Sequence, residues 1–216
     1  MMCVDFLNLK ETLDVFAEEG IDYLHIDIMD GHYVPNFTLG IDFCRALASY
    51  TPIPLDIHLM IEYPERYVSD FASFKGSMVS FHPDVSHQPF KTVELIRASG
   101  AGVGIALDPA IPLEAFRYLL PVVDMVCVMT VNPGYSGQPL VPGSIEKLAE
   151  ATEYLKKQGL NIDVEVDGNV SWENIPRMIK AGATVLVAGS SSIFQKGGDL
   201  RKNIQRLKSM IDGFDI

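Results

Sequence analysis

The chain has 216 residues, 48% of them apolar, and a formal net charge of −11 at neutral pH. The acidic balance argues against nucleic acid as partner, because phosphate backbones are bound by clustered Lys and Arg. No run approaches the roughly 20 apolar residues that span a bilayer, so no membrane partner is expected, and the size fits one domain over residues 1–216.

The opening stretch, MMCVDFLNLKETLDVF, has neither the basic nor the continuous apolar region of an export signal and predicts an amphipathic helix ending near Gly20. From there one rhythm repeats: a short β-branched run, a polar or Gly-rich turn, then a helical stretch. Strands are predicted at 23–29, 54–60, 77–82, 103–108, 125–131, 163–168 and 184–190, with helical patterns over 90–100, 112–123, 143–159 and 171–182. Such alternation predicts an α/β fold with a parallel sheet and helical crossovers. A closed (β/α)8 TIM barrel needs eight strands, and the missing one should precede the first helix, where only MMCV stands. The expectation is therefore a barrel whose first strand is largely missing, with an upstream segment encoded before residue 1. Cys3, Cys44 and Cys127 lack ligand-like spacing and cannot all pair within the chain, which predicts reduced thiols in the core of a cytoplasmic protein.

Three strands carry polar residues where a covered parallel strand should be apolar. His25, Asp27 and Met29 alternate with Ile26 and Ile28; Asp56, His58 and Met60 alternate with Ile57 and Leu59; Asp163, Glu165 and Asp167 alternate with valines. Alternation puts each trio on one face. A single trio would suit an antiparallel strand with one wet face, but an all-parallel sheet is covered on both faces, so its acids and histidines must be paired, liganded or catalytic. Two histidines and two carboxylates meeting at a barrel mouth suit Zn²⁺, Fe²⁺ or Mn²⁺.

Three loops after strands, NPGYSGQP (132–139), DGNV (167–170) and AGSSSIF (188–194), are rich in Gly, Asn and Ser. Glycines let backbone N–H groups approach an anion, although ordinary strand-to-helix turns use the same residues. Barrels bind phosphate with their last two such loops. Met29, Met60 and Met129 lie near strand ends and would cluster over the mouth if all face inward; core packing is the competing role.

The motifs LHIDIMDGHYVPN, LDIHLM, VMTVNPGYSGQ, VEVDG and LVAGSSSIF, in this order, resemble the ribulose-phosphate 3-epimerase family, over about residues 3–210. The resemblance implies a (β/α)8 barrel that inverts C3 of a ketose phosphate through a cis-enediolate. It implies Asp27 and Asp167 as the acid/base pair, and His25, Asp27, His58 and Asp167 as ligands of one divalent metal ion of the Zn, Fe, Mn or Co group. Substrate would be contacted by His58, Met29, Met60 and Met129. Its phosphate would lie on Gly168, Asn169, Gly189 and Ser190, and Gly134, Tyr135, Ser136 and Gly137 would form a mobile flap. A homo-oligomer is also implied.

The chain departs from the family pattern with GYSG for GFGG, DGN for DGG, and no initial SPS segment, whose serine contacts substrate in the family. MCVDFLNLK, VMTVNPGYSGQPLVP and EVDGN are closer to the hexulose-phosphate branch. The expected reaction is D-allulose 6-phosphate to D-fructose 6-phosphate, with D-ribulose 5-phosphate to D-xylulose 5-phosphate as the alternative. A decarboxylase or aldolase on the same scaffold usually needs a lysine at the strand ends, and no predicted strand has one. A relative that binds sugar phosphate without turnover is the non-enzymatic alternative.

Overall fold

In the computed structural model, which describes residues 1–214, β-branched and aliphatic runs build one curled sheet. Seven parallel strands follow in chain order: β1 (Leu24–Asp30), β3 (Leu55–Met60), β4 (Met78–Phe81), β5 (Gly102–Leu107), β6 (Met125–Met129), β7 (Asp163–Asp167) and β8 (Val185–Leu186). The eighth, β2 (Phe37–Thr38), pairs antiparallel with the end of β1. Ile26, Ile57, Val79, Val103, Val126 and Val166 are buried in one large hydrophobic cluster with residues of the surrounding helices. Burial of these aliphatic faces is the main force that closes the layers.

The helices are α1 (Leu9–Glu18), α2 (Ile41–Tyr50), α3 (Val68–Phe71), α4 (Pro89–Ala98), α5 (Ser144–Lys157), α6 (Ile175–Lys180) and α7 (Leu200–Ile211). Helical spacing buries Ile145, Leu148, Ala151 and Leu155 along one stripe of α5. Asp199 caps α7 by accepting from the Lys202 N–H at 3.0 Å. No described helix is long and apolar enough to cross a membrane.

The strands match the sequence pattern, with three corrections. No strand precedes α1 among the described residues, as expected, but the sheet still has an eighth strand, β2, in a loop too short to register as periodicity. The helix expected over 112–123 is two 3-10 turns, Leu113–Phe116 and Leu120–Val122. Pro121 has no N–H to donate and its ring obstructs the preceding turn, which stops a continuous helix. The strand expected over 184–190 has ladder pairs only at Val185 and Leu186, opposite Glu165 and Val166 near the end of β7 at Asp167.

The edges of β1 and β8 therefore face a seam with no ladder between them. Residues 1–4 lie there: the Met1 amino group donates to the His25 carbonyl, and Cys3 Sγ lies 3.6 Å from where a Cβ on Gly189 would stand. Cys44 and Cys127 are fully buried; burial pushes the Cys44 thiol up to about 12, and burial with the nearby Glu165 and Asp167 raises Cys127 well above its ordinary value. Both are inert core groups, as expected, whereas Cys3 is half-buried.

Candidate active site

The ladder between β1 and β3 sets the site. Its register places His25 beside Asp56, Asp27 beside His58 and Met29 beside Met60, so each polar position on one strand meets a complementary one on the next. On the far side β6 pairs with β7, placing Met129 next to Asp167 and Cys127 next to Glu165. The carboxyl-terminal ends of these strands open into a cavity of ≈ 520 Å³.

Four atoms converge there. His25 Nε2 lies 3.4 Å from Asp27 Oδ1 and 3.9 Å from Asp167 Oδ2; His58 Nδ1 lies 3.6 Å from each of the same two carboxylates. One ligand atom from each of the four residues falls within 4.8 Å of all the others. His25 Nε2 and His58 Nδ1 are buried and have no hydrogen-bond partner. Orphaned ring nitrogens facing two carboxylates are what a cation would satisfy, and an ion bound at ~2.0–2.1 Å in tetrahedral geometry has ligand-to-ligand edges of roughly 3.3 Å. The residues therefore fit a divalent metal.

The surroundings fix these groups. His25 Nδ1 contacts Asp56 Oδ2 at 2.5 Å, which turns Nε2 into the site. Burial alone would lower the His25 pKa, but Asp56 and Asp27 outweigh it and hold it well above its ordinary value. Burial would raise Asp27; the nearby His25 ring, then that of His58, outweighs it and holds the carboxyl well below the usual range. Beneath them Glu165 is 1% exposed, and burial followed by the Asp56 charge pushes its carboxyl well above the usual range. Asp163, the third acid of that strand, is exposed and accepts from Thr184 Oγ1 at 3.1 Å.

Most of the residues singled out from the sequence line the cavity: His25, Asp27 and Asp167; Met29, Met60 and Met129; residues 134–137; Gly168, Asn169, Gly189 and Ser190. His58 does not. It is fully buried behind the carboxylates, a placement that suits a metal ligand. The methionines form no single ring: Met29 and Met60 pack with Val34, while Met129 packs with Ala106 and Cys127. The expected flap is latched down. Tyr135 donates its hydroxyl to the Pro35 carbonyl at 2.5 Å, Asn36 Nδ2 donates to the Gly134 carbonyl at 2.8 Å, and Asn169 Nδ2 donates to the Gln138 carbonyl at 2.7 Å. Gly168 has φ 115°, and a Cβ there would stand 2.5 Å from Val131 Cγ2, so glycine alone fits.

Sequence reasoning missed the role of Asp56 and, entirely, Tyr33 and His82. His82 is fully buried; its Nε2 lies 2.9 Å from His58 Nε2 and its Nδ1 lies 2.9 Å from the Tyr33 hydroxyl. Burial, then the neighbouring His58 and Lys147, hold His82 well below its ordinary pKa, so the ring is neutral. One signal was available: His82 continues the alternation of Ser80 on β4, so it faces the same way as the other inward polar residues.

A curled, mostly parallel sheet with a histidine–aspartate cluster and glycine-rich loops at its carboxyl-terminal mouth has the layout of a TIM-barrel active site. The family model described as "Ribulose-phosphate 3 epimerase family" matches residues 1–194. The ribulose-phosphate 3-epimerase of Serratia marcescens is 40% identical over 204 residues, covering 94% of this chain and 96% of that protein. Those of Escherichia coli K12 and Bacillus subtilis are 37% and 36% identical, covering 97% and 96% of this chain and 92% and 95% of their own lengths. The chain belongs to the ribulose-phosphate 3-epimerase family, and is thereby a carbohydrate epimerase. Among solved structures, a mutant tryptophan synthase α-subunit of Pyrococcus furiosus superposes with a TM-score of 0.66 at 17% identity, covering 95% of this chain and 93% of its own. Phosphoribosyl anthranilate isomerase of Thermococcus kodakaraensis gives 0.63 at 14%, with 94% of each chain covered. At such identities the likeness concerns the fold, and it agrees with the TIM-barrel expectation.

Proposed function

We propose that the chain interconverts D-ribulose 5-phosphate and D-xylulose 5-phosphate by inverting C3, with Asp27 and Asp167 as the proton-transferring pair. The observation that carries the reading is the convergence of His25 Nε2, His58 Nδ1, Asp27 Oδ1 and Asp167 Oδ2 at the cavity mouth. The relatives named above are ribulose-phosphate 3-epimerases, which favours the pentulose over the hexulose expected from local motifs.

Inversion removes a proton from one face of C3 and returns one to the other. Asp27 on β1 and Asp167 on β7 come from separate strands and can flank the carbon; one is charged as base while the other is protonated as acid, and they exchange states with each turnover. His25, His58 and both aspartates would hold a divalent cation, which when bound supplies Lewis-acid stabilisation of the charge that develops on the sugar oxygens. Asp56 keeps the His25 ring turned toward that position. Gly168, Asn169, Gly189 and Ser190 would receive the phosphate. The latched loop over residues 134–137 would shield the carbon from water.

The test is loss of the C3 proton signal in deuterated water, followed by NMR on D-ribulose 5-phosphate and D-allulose 6-phosphate with metal-loaded and chelated protein. Faster exchange on the pentulose, abolished by chelation, is expected. Faster exchange on the hexulose would move the substrate to the longer sugar, and no exchange on either by metal-loaded protein would leave a sugar-phosphate binder without turnover.

A further inference from the structure

We propose that His82, anchored by Tyr33, is a positioning residue that locks His58 in the tautomer whose Nδ1 lone pair faces Asp27 and Asp167. The inference rests on the metal reading above and concerns two side chains that reading leaves unused.

The three rings form one continuous path away from the site. His58 Nδ1 points at the two carboxylates, its Nε2 meets His82 Nε2 at 2.9 Å, and His82 Nδ1 meets the Tyr33 hydroxyl at 2.9 Å. The His58 and His82 rings are 5.1 Å apart between centroids and inclined by 30°, and those of His82 and Tyr33 are 4.6 Å apart at 41°. Both histidines are fully shielded from solvent, so neither Nε2 can turn to water instead. Tyr33 is itself fixed: its N–H donates to Asp30 Oδ1 at 3.0 Å, and its phenol is raised by burial first, then by Asp84 and Asp108, so it keeps its proton.

A contact between two neutral imidazole nitrogens needs one donor and one acceptor. If His58 offers its Nδ1 lone pair to a cation, its proton is on Nε2 and is donated to His82 Nε2. His82 must then carry its own proton on Nδ1 and donate it to the Tyr33 oxygen. The reverse polarity, with Tyr33 donating to His82 and His82 to His58, puts the His58 proton on Nδ1 and blocks the ligand position. Only one direction of the path is compatible with a loaded site, and the Tyr33 oxygen is its final acceptor. Partners of this kind, which hold the far nitrogen of a metal-binding histidine, set its tautomer and orientation.

Two readouts test this without turnover. Co²⁺ affinity is measured by chelator competition for the wild type and for His82→Leu, His82→Gln and Tyr33→Phe, and long-range ¹H–¹⁵N spectra of the Zn²⁺-loaded wild type report which ring nitrogens carry protons. His82→Leu, which offers no acceptor, is expected to weaken Co²⁺ binding by about 10–100-fold. His82→Gln, whose amide oxygen can accept from His58 Nε2, is expected to recover most of that loss. Tyr33→Phe is expected to cost less, up to about tenfold. The spectra should show His58 protonated at Nε2 and His82 at Nδ1. Wild-type Co²⁺ affinity in His82→Leu, accompanied only by a lower melting temperature of the metal-free protein, would reduce His82 to packing and overturn the proposal, as would a His82 proton on Nε2 in the Zn²⁺ form. Should His82→Leu fail to fold, the other two variants and the wild-type spectra still decide. A wild type that binds no Co²⁺ would remove the metal reading itself, a result distinct from failure of the His82 proposal alone.

Discussion

The two edges of β1 are held in different ways. Along β3 a parallel ladder runs through six residue pairs, from Leu24 with Leu55 to Met29 with Met60, and the side chains it aligns are the buried acids and histidines of the site. On the other edge the only ladder is the two-pair contact of Met29 and Asp30 with β2, and none reaches β8; the His25 and Asp27 carbonyls are satisfied singly, by the Met1 amino group and by Thr38 Oγ1 at 2.6 Å, and the cavity there is walled by Phe16, Ile21, Val185 and Leu207. Precision is therefore supplied from the β3 side, where register repeats at every residue. The seam contributes enclosure, through apolar contact that has no direction.

The largest effects should come from the chemistry that the ladder holds. Asp27→Asn and Asp167→Asn each remove a proton-transferring group while keeping its size, and each is expected to lower C3 proton exchange by about 10²–10⁴-fold. A variant of either residue that still exchanged the proton at the wild-type rate would break the assignment of the pair.

Packing gives the next contrast. Leu59 on β3 is fully buried and Leu186 on β8 is only half-buried beside the seam. Leu59→Ala is expected to cost about 2–5 kcal/mol, and Leu186→Ala no more than the bottom of that range. Equal losses in denaturant melts would mean that the seam is packed as tightly as the ladder flank.

Glycines probe the same difference at the mouth. Gly168→Ala must place a Cβ 2.5 Å from Val131 Cγ2 and 2.9 Å from its backbone nitrogen, at φ 115°, whereas Gly189→Ala meets nothing nearer than Cys3 Sγ at 3.6 Å. Strain of this kind costs about 1–3 kcal/mol. In a chain of this size Gly168→Ala should lower Tm by roughly 2–4 °C per kcal/mol. Gly189→Ala should leave Tm near the wild-type value; a larger drop there would show the seam to be the more rigid wall.

Much of this was legible in the chain because alternation is local. His25, Asp27, Asp56 and His58 stand out as polar residues at inward positions of otherwise apolar strands, and the structure puts their side chains together. Register is not local: nothing within LDIHLM says that Asp56 will lie beside His25, so its role as the partner of His25 Nδ1 emerged only in three dimensions. Tyr33 and His82 are 49 positions apart and meet across two loops, a contact no periodicity encodes. β8 was overestimated for a related reason. Its sequence favours extended backbone as far as Ser190, but its one neighbour, β7, ends at Asp167, and the seam offers no second partner.

The smallest expected effects separate the two edges by pH. Asp30 staples the ladder side: its Oδ1 accepts from the N–H groups of His32 and Tyr33 at 2.8 and 3.0 Å, and its Oδ2 from that of Glu62 at 2.8 Å, just beyond β3. Partial burial would raise this carboxyl, but the three N–H donors outweigh it and lower its pKa. A folded-state pKa below the unfolded one gives stability that is fully present above the usual aspartate range and is lost as the pH falls through the lowered value. Thr38, on the seam side, contributes through an uncharged hydroxyl. Asp30→Asn should therefore lower Tm modestly near neutrality and converge with the wild type under acid. Thr38→Val, which removes a bond worth about 0.5–1.5 kcal/mol, should keep the same deficit at every pH at which the protein remains folded. A pH-independent Asp30→Asn deficit would show that shape, not charge, holds the ladder side of the mouth, and the two edges of β1 would then differ in geometry alone.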